Sequence, residues 1–358
     1  MLRRTPEWSS GTDFCMGTVF SQRAYGVNSR GAVRAALRVV RRLEGLFSRF
    51  IESSDISRLN AAAVADHGRG ARGVRVRPET LRVLEASLEI SRLSGGAFDV
   101  TVAPLVALWA AGEVKTALPP DDAVKPSYKP PSDEAIAHAR DLVGYRSLTV
   151  DAASGFIRLA SKGQMVDLGG IGKGFAADRV LEVYRRRGVV SGMVDLGGNV
   201  ALLGGKPDGS PFAVGIQDPD AARGECLGFL PLKDVSAVTS GDYERYLEVS
   251  GKRYSHIIDP RTGYPVESGL RSVTVIARES MIADGLSTAL FVLGLERGLE
   301  LLRALREASR TLHDYRSVEA VFVTHTRAVH LTPGIADVYT PLVPLSVTSG
   351  WSIPAGII

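Results

Sequence analysis

At 358 residues the chain is long enough for one large domain or two intimate ones, and its 45% hydrophobic and 23% charged content is that of a soluble globular protein. The formal net charge of +4 comes without a block of Lys and Arg interleaved with aromatics, which argues against a nucleic-acid partner. The two cysteines, Cys15 and Cys226, stand outside any CxxC pattern, excluding a paired-cysteine zinc site, and no apolar run nears the ~20 residues of a membrane-spanning helix.

In chain order, the N-terminus is basic but lacks an apolar h-region. A cytoplasmic location is therefore expected of the chain as given; a missing leader would make it exported or membrane-associated. Residues 16–26 read as a strand, and 31–47 as an amphipathic helix with Ala36, Val40, Leu43 and Phe47 on one face. "FSRFIESSDISRLNAA" reads as polar and turn-rich. Pro78 opens a helix with Leu81, Leu84 and Leu88 as its buried stripe, ended by Gly95 and Gly96. Residues 112–134 hold five prolines and read as a surface excursion or lid. Strands resume at 148–159, and a helix is expected from Phe175 to Arg187, stopped by Gly188. Residues 194–205 read as a strand pair with Gly-rich turns. Further strands follow, then a long helix from Met281 to Arg306 and a closing hairpin. Beyond Pro333 a loose or packed-on tail is expected. Strands and helices mix without a strict βαβ beat, which points to an α+β fold.

Four segments carry candidate chemistry. "VDLGGIGKGFAADR" (166–179) places Gly170, Gly172 and Gly174 around Lys173, ahead of a helix. It is neither a dinucleotide fingerprint nor a P-loop: Phe175 stands where GxGxxG needs glycine, and Gly174 where the P-loop needs Ser or Thr. Glycines still let backbone N–H groups approach an anion, and a helix N-terminus with a lysine adds positive potential. A tight strand–helix turn with a solvated lysine fits the loop alone equally well. "VDLGG" returns at 194–198, a hint of internal duplication too short to establish one.

In "ADGLST" (283–288), Asp284 and Thr288 stand four residues apart on one helix face. An acid and a hydroxyl without His or Cys suit Mg²⁺, completed by carbonyls, waters and phosphate. Taken alone, a favourable helix start and a hydroxyl bonded to its own helix explain the pair more simply. In "HIIDPRTGYP" (256–265), Asp259 and Thr262 are turn residues; His256 gains a general-base role only beside a phosphate and a metal. In "GGAFDVTVAPL", Asp99 alone reads as a cap or turn residue.

The order of these segments, with "MGTVF" before them, resembles the ApbE family, the FAD:protein FMN transferases, over about residues 14–335. The resemblance implies an α+β, T-fold-type architecture of mixed sheets packed with helices and an FAD/metal cleft between two intimate lobes. It places the transferase domain at residues 1–335 and a C-terminal tail at 336–358. It implies transfer of FMN from FAD to a Ser or Thr hydroxyl of an acceptor flavoprotein subunit with a motif like Asp-Gly-x-Thr-Ser-Ala-Thr. A phosphoester forms and AMP leaves, with Mg²⁺ required and FAD as substrate. Residue by residue, Met16, Phe50, Ala97, Phe98, Asp99, Asp167, Lys173 and Ile258 are implied in binding FAD. Gly170 (by its carbonyl), Asp284, Ser287 and Thr288 are implied at the metal. His256 is implied as the base, with Lys173 on the phosphoryl oxygens and Asp259 and Thr262 shaping the histidine's loop. Phe50 stands where relatives commonly have Tyr, so a hydroxyl contact is absent there. An FAD pyrophosphatase or a non-catalytic FAD-binding module are the alternatives, and the second fits an intact Asp284/Thr288/His256 set poorly.

Overall fold

A computed structural model describes residues 7–65, 73–110, 130–244, 246–249, 252–308 and 313–352. Most of the proline-rich stretch at 112–134 lies outside the described residues. The elements begin with β1 (Trp8–Cys15), β2 (Thr18–Tyr25), α1 (Ser29–Phe47), α2 (Asp55–Ala65), β3 (Val74–Arg75), α3 (Pro78–Leu93), α4 (Ala103–Ala110), α5 (Asp133–Arg140), β4 (Leu148–Asp151) and β5 (Phe156–Leu159). Then come α6 (Gly172–Arg186), β6 (Ser191–Leu196), β7 (Asn199–Leu203), β8 (Phe212–Gln217), β9 (Cys226–Leu232), β10 (Ser236–Gly241), β11 (Tyr246–Val249) and β12 (Lys252–Ser255). The last are β13 (Leu270–Ala277), α7 (Ser280–Glu307), β14 (Glu319–Thr324), β15 (Val329–Leu331), α8 (Pro333–Ala336), β16 (Thr340–Pro341) and β17 (Val347–Ser349).

The α+β class expected from the mixed beat is the one observed. A nine-stranded sheet runs β1-β2-β6-β7-β10-β13-β14-β15-β17, and eight of its strands fall into two runs of one plan. Each run is an antiparallel strand pair, helical segments, and a second antiparallel pair: β1–β2, α1 and α6, β6–β7; then β10–β13, α7, β14–β15. α7 breaks at Gly294, whose φ is 79° and ψ 179°, so the second run also has two helical segments. Both "VDLGG" copies lie in the first run and do not mark equivalent places in the two runs.

One face of this sheet is covered by α1, α6 and α7, the other in part by the small sheet β16-β9-β8. The strand β13 shows the consequence: all eight of its residues are buried, because both its faces are covered. The segment β3–β5 with α2 and α3 packs into the same core through Ile56, Leu59, Leu84 and Ile157, so it shares one interior with the nine-stranded sheet and its helices. A separate apolar cluster joins α4 and α5 to Ile258. Residues 336–352 pack on as well: β16 extends the small sheet, β17 runs parallel to β15, and Trp351 lies against the main core.

Three local expectations change. The strand read at 16–26 is half of a hairpin whose turn is Met16-Gly17. β1 was illegible because its inward positions, Ser9, Gly11 and Asp13, are small or polar and only Cys15 is buried. The polar stretch after Phe47 contains α2, whose start is fixed by Ser57 N–H donating to Ser54 Oγ (2.9 Å) and whose Ile56, Leu59 and Ala63 are buried. In α3, Leu81 and Leu88 are only half-buried; the inward face also carries Thr80, Val83, Ser87 and Ile90.

Candidate active site

The site grows from two helix N-termini that meet. α6 starts on the glycines, three residues before Phe175. An added Cβ on Gly174 would stand 2.2 Å from the Ser280 carbonyl oxygen, so only glycine permits this approach of α6 to α7. Each helix then caps the other. Gly174 N–H donates to Asp284 Oδ2 of α7 (2.9 Å), while Ser280 N–H and Met281 N–H donate to the Asp178 carboxylate of α6 (2.8 and 2.9 Å). Burial pushes the Asp178 carboxyl up to about 7 against the pull of those two donors.

This reciprocal cap holds Asp284 buried at the head of α7, 3% exposed. Its Oδ1 lies 3.6 Å from Lys173 Nζ, which also donates to the Gly169 carbonyl (2.8 Å). One turn on, Ser287 Oγ donates to the Asp284 carbonyl (2.9 Å) and lies 2.8 Å from Ser240 Oγ of β10. Since the Ser287 proton is committed to that carbonyl, Ser240 donates to Ser287. Ser240 Oγ is also 3.4 Å from Thr288 Oγ1. Gly170 closes against this group: a Cβ there would lie 3.2 Å from both Thr288 Oγ1 and the Phe98 ring.

The glycine loop is anchored from behind. Val166 N–H donates to Asn60 Oδ1 (2.7 Å) and Asn60 Nδ2 donates to the Val166 carbonyl (3.0 Å), so an α2 side chain replaces a strand neighbour. Asp167 accepts from Gly169 N–H (2.7 Å) and pairs with Arg49 Nε (2.9 Å). The Arg49 guanidinium lies 4.5 Å over the ring of Phe50, which is 81% exposed.

Met16 faces the same helix start, its Cε 3.7 Å from where a Gly172 Cβ would be. Its φ of 53° is unusual for a non-glycine residue, and Glu44 of α1 accepts its N–H (2.7 Å). With Gly17 at φ 72° it makes the mirror-image turn that suits a two-residue hairpin, where Asn or Gly would be more at ease. Such strain is characteristic of functional positions.

A family model described as the ApbE family matches residues 16–311. The FAD:protein FMN transferase of Treponema pallidum is 34% identical over 340 residues, 92% of this chain and 88% of that protein. One from Klebsiella pneumoniae is 31% identical over 91% of this chain and 92% of its own length. Among solved structures, the ApbE protein of Thermotoga maritima aligns with TM-score 0.77 at 30% identity, covering 92% of this chain and 98% of that one. The flavin transferase ApbE from Vibrio cholerae aligns at 0.72 and 28% identity, over 89% and 94%.

The chain belongs to the ApbE family. In this ApbE-family chain the expected residues, apart from Phe50, which is exposed under Arg49, fall into two groups. Met16, Phe98, Asp167, Gly170, Lys173, Asp284, Ser287 and Thr288 gather at the joined helix starts, as above. Ala97 and Asp99 are buried beside Phe98, and the Asp99 carboxylate is engaged by Thr101 Oγ1 (2.6 Å), Thr101 N–H (2.8 Å) and Tyr145 N–H (2.8 Å). Burial raises the Asp99 carboxyl, and these donors oppose the rise.

The second group is the turn after β12. His256 is exposed there. Asp259 closes the turn through its carbonyl, which accepts Gly263 N–H (2.8 Å), and its carboxylate holds Arg261 at 2.9 and 2.7 Å. Thr262 Oγ1 accepts Tyr264 N–H (3.2 Å). Ile258 is buried against Leu105, Trp109 and Ile136, and Trp109 Nε1 donates to the Gly263 carbonyl (2.9 Å). The histidine loop thus rests on α4 and α5.

Arg49, Asn60, Asp178 and Ser240 were not singled out from the sequence. Arg49 and Asn60 stood inside the segment read as polar and turn-rich, without a role. Asp178 stands near the end of the quoted glycine-loop segment but was given no role, and Ser240 matches no pattern; their partners are about a hundred and nearly fifty residues away. As a cation site the group offers one carboxylate and three hydroxyls beside the Gly170 backbone, a hard-oxygen set without nitrogen or sulfur. No cluster of three or more His, Cys, Asp or Glu exists among the described residues. The set fits Mg²⁺ that takes its other ligands from water and a substrate phosphate.

Proposed function

We propose that this chain, an enzyme of the flavin-transferase class, moves FMN from FAD onto a Ser or Thr hydroxyl of an acceptor flavoprotein subunit, with Mg²⁺, and releases AMP. The observation that carries the reading is the meeting of Lys173, Asp284 and the α6 N-terminus at one point: an anion cradle beside a hard-cation ligand. Mg²⁺, when held by Asp284, Thr288, Ser287 and the Gly170 carbonyl, would offset charge on the diphosphate as its P–O bond breaks. Lys173 and the positive end of the α6 dipole stabilise the phosphoryl oxygens. Met16, Phe50, Phe98 and the backbone of 97–99 line the flavin side, with Asp167 on the cofactor and Ile258 towards the adenine. His256 takes the proton of the acceptor hydroxyl as that oxygen attacks the FMN phosphorus. The new P–O bond is a phosphoester, and the old bridging oxygen leaves with its electron pair on AMP. Asp259 and Thr262 hold the histidine's loop in shape.

The test is one incubation with FAD, Mg²⁺ and a protein carrying the Asp-Gly-x-Thr-Ser-Ala-Thr-like motif, read by intact mass and AMP release. One FMN added to the acceptor, and lost when the motif Thr becomes Ala, is the expected result. AMP and free FMN with unmodified acceptor would move the assignment to hydrolysis, and bound FAD without AMP to a binding module.

A further inference from the structure

The two residues assigned to different ligands are paired with each other. Lys173 belongs to the FAD diphosphate in the reading above and Asp284 to the cation, yet Lys173 Nζ lies 3.6 Å from Asp284 Oδ1. The two carboxylate oxygens differ. Oδ2 is committed to Gly174 N–H at 2.9 Å, inside the helix–helix joint, so Oδ1 is the oxygen left for a cation. That is the oxygen Lys173 faces. A side-chain exposure of 4% gives Asp284 little help from water, so it needs a positive partner. Lys173 is 23% exposed, sits on a flexible four-carbon stem, and among the described residues is otherwise tied to the Gly169 carbonyl alone.

We infer that Lys173 is a placeholder cation: it neutralises Asp284 Oδ1 until a divalent cation takes that oxygen, and is then released to the diphosphate. The inference rests on the proposed FAD and metal roles and adds the order within them. A cation and a lysine ammonium cannot both stand against one carboxylate oxygen without strong repulsion. Cation alone must displace Lys173, and FAD alone must draw Lys173 from a buried carboxylate. Together the ligands exchange partners with it, so each favours the other, reciprocally. The exchange is short-range, since a turn of the lysine stem suffices and the Gly174–Asp284 bond stays in place.

The distinguishing consequence has an unexpected sign. Removing the lysine charge should weaken FAD binding but tighten cation binding in FAD-free protein. A lysine that only contacts phosphate would leave the latter unchanged. The probe is Mn²⁺ alone, titrated into FAD-free protein and followed by electron paramagnetic resonance, with FAD binding measured separately by flavin fluorescence. K173M should bind Mn²⁺ roughly fivefold or more tightly than the parent and bind FAD more weakly. K173Q removes the charge but keeps a donor for the Gly169 carbonyl, and should do the same even if the loop shifts in K173M. Mn²⁺ affinity unchanged or weakened in both variants would overturn the inference while leaving the metal site standing. A parent protein whose Mn²⁺ binding is no different from that of D284A would remove the metal reading itself, and the placeholder with it.

Discussion

Val-Asp-Leu-Gly-Gly occurs at 166–170 and again at 194–198, and the two copies have different fates. In both the Asp side chain accepts an N–H from a following glycine: Asp167 from Gly169 (2.7 Å), Asp195 from Gly198 (2.8 Å). The second copy is a strand with a hairpin turn. Gly197 and Gly198 have φ of 61° and 90°, the mirror-image turn, and Leu196 pairs with Asn199 across it. The first copy has neither glycine at positive φ, and its chain runs on through Ile171 into α6. What differs is the surroundings. Val194 has β2 and β7 for neighbours, whereas the chain around Val166 has the 100–102 backbone on one side and the side chain of Asn60 on the other. A glycine pair permits either outcome; the partner offered to the backbone before it, and the helix or strand after it, decide which.

That difference is sharpest at what the first copy leads to. α6 delivers its Gly174 N–H to Asp284, and β7 delivers nothing comparable. Asp284→Ala should therefore abolish Mg²⁺-dependent transfer, read as AMP release against Mg²⁺ concentration. Persistent metal-dependent turnover would remove Asp284 from the metal role. His256→Ala, in neither copy, should lower transfer by roughly 10²–10⁴-fold, the range for a lost general base, and spare FAD binding. Lost FAD binding would make it a structural histidine instead.

Glycine-to-alanine changes separate the copies next. At Gly174 the new Cβ would meet the Ser280 carbonyl at 2.2 Å, backbone on both sides, so neither helix can yield alone. A loss of about 3 kcal/mol, with FAD binding lost too, is expected by chemical denaturation. At Gly197 the Cβ would meet Thr18 Oγ1 at 2.1 Å and Thr18 Cβ at 2.8 Å with φ at 61°, so Thr18 must turn and the hairpin turn must shift slightly as well. A cost of about 1–2 kcal/mol with transfer intact is expected. Equal effects of both on FAD binding would mean that the second copy also serves the site.

The aspartates make a smaller contrast. Asp167→Ala removes the partner of Arg49 and should weaken FAD binding roughly tenfold, measured by flavin fluorescence. Asp195→Ala removes one turn hydrogen bond and should cost about 1 kcal/mol of stability with no change in FAD affinity.

These contrasts show how much was legible. Elements with strong periodicity or caps were: α1, the end of α6 at Gly188, the β6–β7 pair, the long α7. α2 was hidden because its start is polar and two of its buried residues, Asp55 and Asn60, are polar, which breaks up the apolar stripe of Ile56, Leu59 and Ala63. The residues gathered at the site came through their likeness to a family, since the loop alone fitted a plain turn equally well. Asn60, Asp178 and Ser240 were illegible for a physical reason. Each acts on backbone or hydroxyl groups of a distant segment, and no local period encodes such a partner.

Asp178 gives the last and smallest test, again on the helix that only the first copy has. Its carboxyl is raised to about 7 chiefly by burial, from an ordinary value of 3.8. Between those values the folded chain keeps a proton that the unfolded chain has lost, so its stability contribution is complete below pH ~4 and fades as pH rises through ~7. That is opposite in sign to the usual salt-bridged aspartate. Asp178→Asn cannot ionise, so it should flatten the decline in stability between pH ~4 and ~7. It should also lower stability at acid pH, where an amide offers one acceptor oxygen to the two N–H groups of Ser280 and Met281. Urea midpoints of the two proteins across that range decide the matter. Parallel curves would mean that Asp178 stays ionised, held by its two backbone donors in spite of burial. The cap on α7, and with it the placement of Asp284, would then be insensitive to pH near neutrality.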